Sequence, residues 1–229
     1  AAHRGAWPND PRARLLRYFL EGREREADGP SLARLAAGLS GLPEPLEARA
    51  IALGGDPLAA QQLLFSSDTR GSFEWTPAII DIARAFLATG DVTRARKVLD
   101  ELAPTARDEC DSLLALRDAA DDGSRPALAM RIASLTPQSI PASAWSQSGA
   151  LPLCLDPASM SRSRLSVVVS ASEPALVSWG WSGGRVASMV VKGQKTIDVP
   201  LDSRPGRRIL AVRTELGGPI TLGEATIGE

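Results

Sequence analysis

From about residue 10 to residue 136, apolar side chains recur three or four positions apart, interrupted by short runs of Gly, Asp and Pro; beyond about residue 150 they recur at every second position. The first spacing belongs to helices with one buried face, the second to strands with one buried face. The change of period predicts a multidomain α+β chain. Its parts are an N-terminal array of α-helical hairpins over 1–136, a linker over 137–150 rich in Pro and Ser, and a C-terminal antiparallel β-sandwich over 151–229.

The clearest helical pair lies at 76–104. Ile79, Ile82, Ala83 and Phe86 mark one face, and Ala95, Val98, Leu99 and Leu102 mark another. Between them, Gly90 suits a left-handed helix end and Asp91 suits the cap of the next helix. The same junction recurs at Gly55-Asp56, 35 residues earlier, followed by Ala60 and Leu64 at the spacing of Ala95 and Leu99. Residues 108–135 offer a third copy and 15–39 a capping hairpin.

On these residues the chain resembles the tetratricopeptide repeat family. Ile82, Ala83, Phe86, Gly90, Ala95 and Leu99 stand where that family has its large, small, aromatic, Gly, Ala and bulky positions. Ile79 stands in place of the family's early Trp and Arg107 in place of its closing Pro, with Pro104 three residues earlier. The resemblance implies stacked hairpins and a concave surface that docks a protein or peptide.

The C-terminal part predicts strands at 150–156, 164–172, 175–181, 185–192, 195–202, 207–216 and 219–227. The intervening Glu-Pro, Ser-Gly-Gly, Lys-Gly-Gln, Arg-Pro-Gly and Gly-Gly read as turns of hairpins or meanders. In 195–202, Ile197, Val199 and Leu201 should face a core and Thr196, Asp198, Pro200 and Asp202 water; Pro200 belongs on an edge strand or at a bulge. The texture of 207–227 resembles the jelly-roll modules of carbohydrate-active proteins. The pairing of such a module with helical repeats is similar to soluble portions of bacterial envelope proteins that assemble or export polysaccharide, which implies an extracytoplasmic scaffold.

Composition removes several classes. With 26 Lys plus Arg against 27 Asp plus Glu, there is no net field to gather phosphate backbones, so nucleic acid is not an expected partner. No run approaches the roughly 20 apolar residues of a membrane span. A start at "AAHRGAW" without Met suits a mature or excised chain. Cys110 and Cys154 form no metal-ligand spacing; they read as two buried thiols or as a disulfide joining the two parts in an oxidising compartment. His3 is the single histidine and lies at a chain end, so neither a His-based catalytic set nor a metal site is expected, and no cofactor is called for.

The candidate ligand contacts are Trp179 and Trp181, on the strand face of Ala175 and Val177, with Arg185 just beyond the Gly-Gly turn. Either the rings fill the core, which the apolar neighbours favour, or they present a flat patch to sugar or protein. Trp145 in the linker reads as a plug between domains. Ser182 in "GWSGG" matches the letters of a nucleophile elbow, yet a strand is expected after it where the elbow needs a helix. The acid pairs Asp121-Asp122 and Glu24-Glu26 read as solvated surface. The expectation is a chain with no catalytic residues. Its helices dock a protein, its sandwich contacts polysaccharide or another subunit, and a membrane-bound complex is a further candidate partner.

Overall fold

The computed structural model describes residues 29–39, 41–156, 164–182, 184–201 and 205–228. These comprise seven α-helices followed by an antiparallel sheet of six strands. The helices are α1 (Gly29–Ala37), α2 (Glu44–Leu53), α3 (Pro57–Ser66), α4 (Trp75–Ala88), α5 (Val92–Leu99), α6 (Cys110–Ala119) and α7 (Arg125–Ser134). The strands are β1 (Ser139–Ile140), β2 (Ala150–Leu155), β3 (Arg164–Trp181), β4 (Ala187–Pro200), β5 (Gly206–Gly217) and β6 (Ile220–Gly228). Two compact units emerge, Ala1–Arg125 and Pro126–Glu229, so the division falls at the start of α7, ahead of the 137–150 stretch read from composition.

In the first unit the two expected hairpins are α2–α3 and α4–α5. Their junctions share one geometry. Gly55 and Gly90 hold φ of 94° and 81°, and the Asp56 and Asp91 carboxylates accept the backbone N–H of Ala59 and Arg94, each at 3.0 Å. Each Asp thus satisfies one of the orphan donors of the helix it opens. Neighbouring hairpins stack, α2 on α4, α3 on α4, α4 on α6 and α5 on α6. Ile79, Ile82, Ala83, Phe86, Ala95, Val98 and Leu99, the faces marked by spacing, are all buried in one core with Ala48, Ala60 and Leu64. The third pair, α6 and α7, forms as helices, but the division between the units passes at α7. Most of the proposed capping hairpin lies outside the described residues.

In the second unit, the strands are fewer and longer than expected. The runs 164–172 and 175–181 are one strand, β3, and the runs 185–192 and 195–202 are essentially one strand, β4, paired with it throughout. Glu173-Pro174 and Lys192-Gly193 are therefore not hairpin turns. They mark a register shift in which Ala171 pairs with Gly193 and Ala175 with Val191. Gly217-Gly218 is not a hairpin turn either. β5 runs antiparallel beside the C-terminal half of β3, and after Gly217 the chain carries on in the same direction as β6 beside its N-terminal half. The three breakers lie at one level across adjacent strands and crease the sheet.

The crease folds the sheet on itself. On one side of it run β4, β3, β6 and β1, on the other β4, β3, β5 and β2. An uncreased β3 would hold Trp181 about 55 Å from the level of Arg164 and its partner Pro200, at roughly 3.3 Å per residue. Instead the Trp181 indole N–H donates to the Pro200 carbonyl at 2.7 Å. Inward side chains of both halves, among them Leu151, Leu165, Val167, Val177, Val191, Ile197, Leu210 and Ala225, make a single core. Ile197 and Val199 are buried and Leu201 is half-buried, with Thr196, Asp198 and Pro200 exposed, as the alternation requires; Asp202 lies outside the described residues. Pro200 sits on β4, which among the described residues pairs on one side only.

Two glycines of positive φ separate turn freedom from close approach. At Gly217 (φ 97°) a Cβ would lie 2.3 Å from the Pro174 carbonyl oxygen, whereas at Gly55 (φ 94°) it would meet nothing within 4 Å. Gly217→Ala should therefore cost at least about 3 kcal/mol, combining backbone strain with a collision at the crease. Gly55→Ala should cost about 1 to 2 kcal/mol, from the conformation alone. Urea unfolding followed by circular dichroism would check the ranking; equal losses would contradict the crease argument.

Candidate functional site

The C-terminal half of β3 carries the tryptophans because alternation continues unbroken from the core. Ala175 and Val177 point inward and are buried, and Trp179 and Trp181 continue that face, half-buried against the sheet core. Trp179 lies between Ala187 of β4 and Val212 of β5. The Trp181 indole N–H is occupied by Pro200 O, as described above. Gly180, between the two rings, is a place of close approach, since a Cβ there would come within 2.7 Å of the Arg185 carbonyl oxygen. Arg185 itself is exposed after the turn. The three expected contact residues are thus neighbours, but the rings belong to the inner face and Arg185 to the exposed turn.

The outer face of the same strand holds what the sequence did not single out. Leu176 pairs across to Val190 on β4 and to Leu216 on β5, which puts three aliphatic side chains in one row over three strands. Val190 is 61% and Leu216 70% exposed, and Val186, just before β4, is 72% exposed. One step along β3, Ser178 is buried and donates to the Glu215 carboxylate at 2.5 Å. A β-bulge between Leu176 and Val177 leaves Glu215 as the extra residue of β5.

The remaining candidates are each accounted for. Ser182 occupies the hairpin turn between β3 and β4, where its N–H donates to Ile209 O at 2.9 Å; the helix required by a nucleophile elbow does not follow. Trp145 packs against the sheet core and its indole N–H donates to Gly223 O at 3.0 Å. Neither Cys110 nor Cys154 is a free thiol. Asp121 is a capping group: it accepts the Ser124 N–H at 2.9 Å, and that bond, with Ser124's hydroxyl and the charge of Arg96, holds its carboxyl below the ordinary carboxylate range. Glu24, Glu26 and His3 lie outside the described residues.

In the helical unit, a buried charge cluster joins α2 to α4. Arg49 donates to Asp81 at 2.8 Å and to Glu74 at 3.0 Å, with Arg49 and Asp81 both under a tenth exposed. Removing Arg49 would strand the buried Asp81 carboxylate, so the cluster fixes how the two hairpins register. Phe73, in the segment between α3 and α4, is 89% exposed. Arg70 nearby lies over the Trp75 ring at 5.8 Å and pairs with Glu101 at 3.0 Å.

No family model matches the chain, and neither a curated protein nor a solved structure matches it. Fold and surface therefore define its class: a two-unit α+β chain, with stacked helical hairpins in one unit and a creased antiparallel sheet in the other. No helix among the described residues is long and apolar enough to cross a membrane.

Trp181→Phe keeps an aromatic ring but removes the indole N–H and part of the ring's bulk, so the sheet should lose at least about 1 kcal/mol of stability in denaturant titration; an unchanged midpoint would mean that the bond to Pro200 O adds nothing to the stability of the sheet. For Asp121, NMR titration should give a midpoint below that of Asp in an unfolded peptide. Its folded pKa is the lower one, so its contribution to stability is present above the unfolded pKa and fades as pH falls through the folded value. A midpoint at or above the peptide value would contradict the capping role.

Proposed function

We propose that the chain is a non-catalytic scaffold that works outside the cytoplasm, with its helical hairpins docking a protein partner and its sheet contacting another subunit. The observation that carries this reading is the exposed row of Val190, Leu176 and Leu216. Scattered exposed aliphatics are ordinary, whereas an aligned row across three strands is the kind of surface that partners cover. Phe73 gives the helical unit an exposed aromatic of the sort that anchors protein interfaces. The tetratricopeptide likeness is supported by the repeated junction, in which the same Gly conformation and Asp cap recur 35 residues apart. The extracytoplasmic placement is supported by the absence of a free thiol at Cys110 and Cys154, as expected of a chain in an oxidising compartment.

A polysaccharide partner, and with it a role in polysaccharide assembly or export, is the companion reading of the sheet. It would use the half-buried Trp179 and Trp181 edges with Arg185, and their inward packing favours the protein-contact reading over it.

The discriminating experiment places a photo-crosslinking amino acid at Leu216, at Phe73 and, as a control, at exposed Thr196 of the full chain in its native cell. The same protein is screened on a glycan array. We expect discrete protein adducts at Leu216 and Phe73, none at Thr196, and no glycan retained. Retention of glycans with no protein adduct at either position would replace this reading with the sugar-binding one; neither adducts nor glycans would leave the scaffold reading without support.

A further inference from the structure

A strand with one unpaired edge exposes a row of backbone donors and acceptors, and soluble proteins ordinarily guard such edges with charge, proline, bulges or brevity. Three strands here pair on one side only among the described residues: β1, β2 and β4. β1 has two residues, and β2 carries Pro152. The second half of β4 is guarded several times over. Gly193 (φ 69°) bends it, Lys192 is exposed on it, and Pro200 ends it. Lys195 occupies an inward-facing position, paired with the buried Val169, where a lysine would be forced under any added strand.

The first half of β4 and Val186, the residue before it, have none of these devices. Residues 186–190 read Val-Ala-Ser-Met-Val, without charge or proline, and both valines are among the most exposed aliphatics described. Pairing this run antiparallel with its own copy about Ser188 sets Val186 against Val190 twice, the small Ala187 against the larger Met189 twice, and Ser188 against itself. Every pair is compatible in size and polarity, and no like charges oppose each other, which is the self-complementarity that a two-fold interface demands. Val186, Ser188 and Val190 share the outer face, so each copy's row through Leu176 and Leu216 would run on into the other's.

We propose that the edge of β4 from Val186 to Val190 is a self-association site, at which two copies of this chain join their sheets across a two-fold axis at Ser188. This rests on the reading of the sheet as a surface for subunit contacts and names the subunit as a second copy. Five residues a side make a small contact, so the dimer is reversible and forms at high concentration.

Sedimentation velocity of the full chain over roughly 10 to 500 µM, a range suited to weak association, is the primary test. We expect monomer and dimer in exchange. Val190→Lys, a charge at the edge, should weaken dimerisation at least about tenfold, whereas Leu216→Lys, on the same face but away from the edge, should leave it within about twofold. Under oxidising conditions Ser188→Cys should give a covalent dimer on a non-reducing gel and Thr196→Cys should not. A chain that stays monomeric throughout, equal cross-linking at both cysteines, or dimerisation lost with Leu216→Lys but not Val190→Lys would each overturn the proposal. Crosslinking to other proteins at Leu216 in a monomeric chain would overturn it while leaving the scaffold reading intact. A dimer with no adduct to another protein at Phe73 would uphold it while removing the protein-docking role proposed for the helices.

Discussion

The sheet depends on one constraint: three neighbouring stretches of chain break regular pleating at the same level. Glu173-Pro174 interrupts β3, Lys192-Gly193 interrupts β4, and Gly217-Gly218 separates β5 from β6. Any one of them alone would be a local bulge. In line they become a fold axis, because a ribbon that bends at one point can keep its ladder only if its neighbours bend there too. The close approach of Gly217 to the Pro174 carbonyl belongs to this arrangement, as does the indole of Trp181 reaching the Pro200 carbonyl from the other half. The fold needs no second sheet. It makes both walls from one.

The helical unit solves its packing differently, by repetition of a junction. A glycine that ends one helix and an aspartate that starts the next set the angle between partners, and small buried residues, Ala48, Ala60, Ala83 and Ala95, let the helices approach. Arg49 then ties successive hairpins together through the buried Asp81 carboxylate and the half-buried Glu74 carboxylate. Buried charge of this kind adds little net stability against an apolar alternative but penalises any other register.

Much of this was legible in the sequence, for a definable reason. The hairpins were read from local signals: period, Gly then Asp, and a 35-residue offset all act within a few residues of themselves. The breakers of the sheet are legible too, but their local chemistry points to turns. Glu173-Pro174, Lys192-Gly193 and Gly217-Gly218 have turn chemistry, and nothing local tells a turn that reverses the chain from a corner that both partners share. The tryptophans show the same limit. Parity correctly grouped Trp179 and Trp181 with Val177, yet the aliphatic row on the opposite face arises from pairing among Leu176, Val190 and Leu216, which the chain brings together only through register. Exposure is a property of the assembled sheet, and one strand's alternation assigns faces without saying which of them stays open.

The sharing of strands between the two walls has a consequence for motion. Sandwiches assembled from separate sheets possess a seam along which one layer can drift from the other. Here the backbone of β3 and β4 passes unbroken through both layers, and β5 runs directly into β6. Loosening one layer pulls on covalent chain in its opposite number. Protection against amide exchange should accordingly rise and fall together in both walls, making this half of the molecule a single cooperative block instead of a pair of leaves.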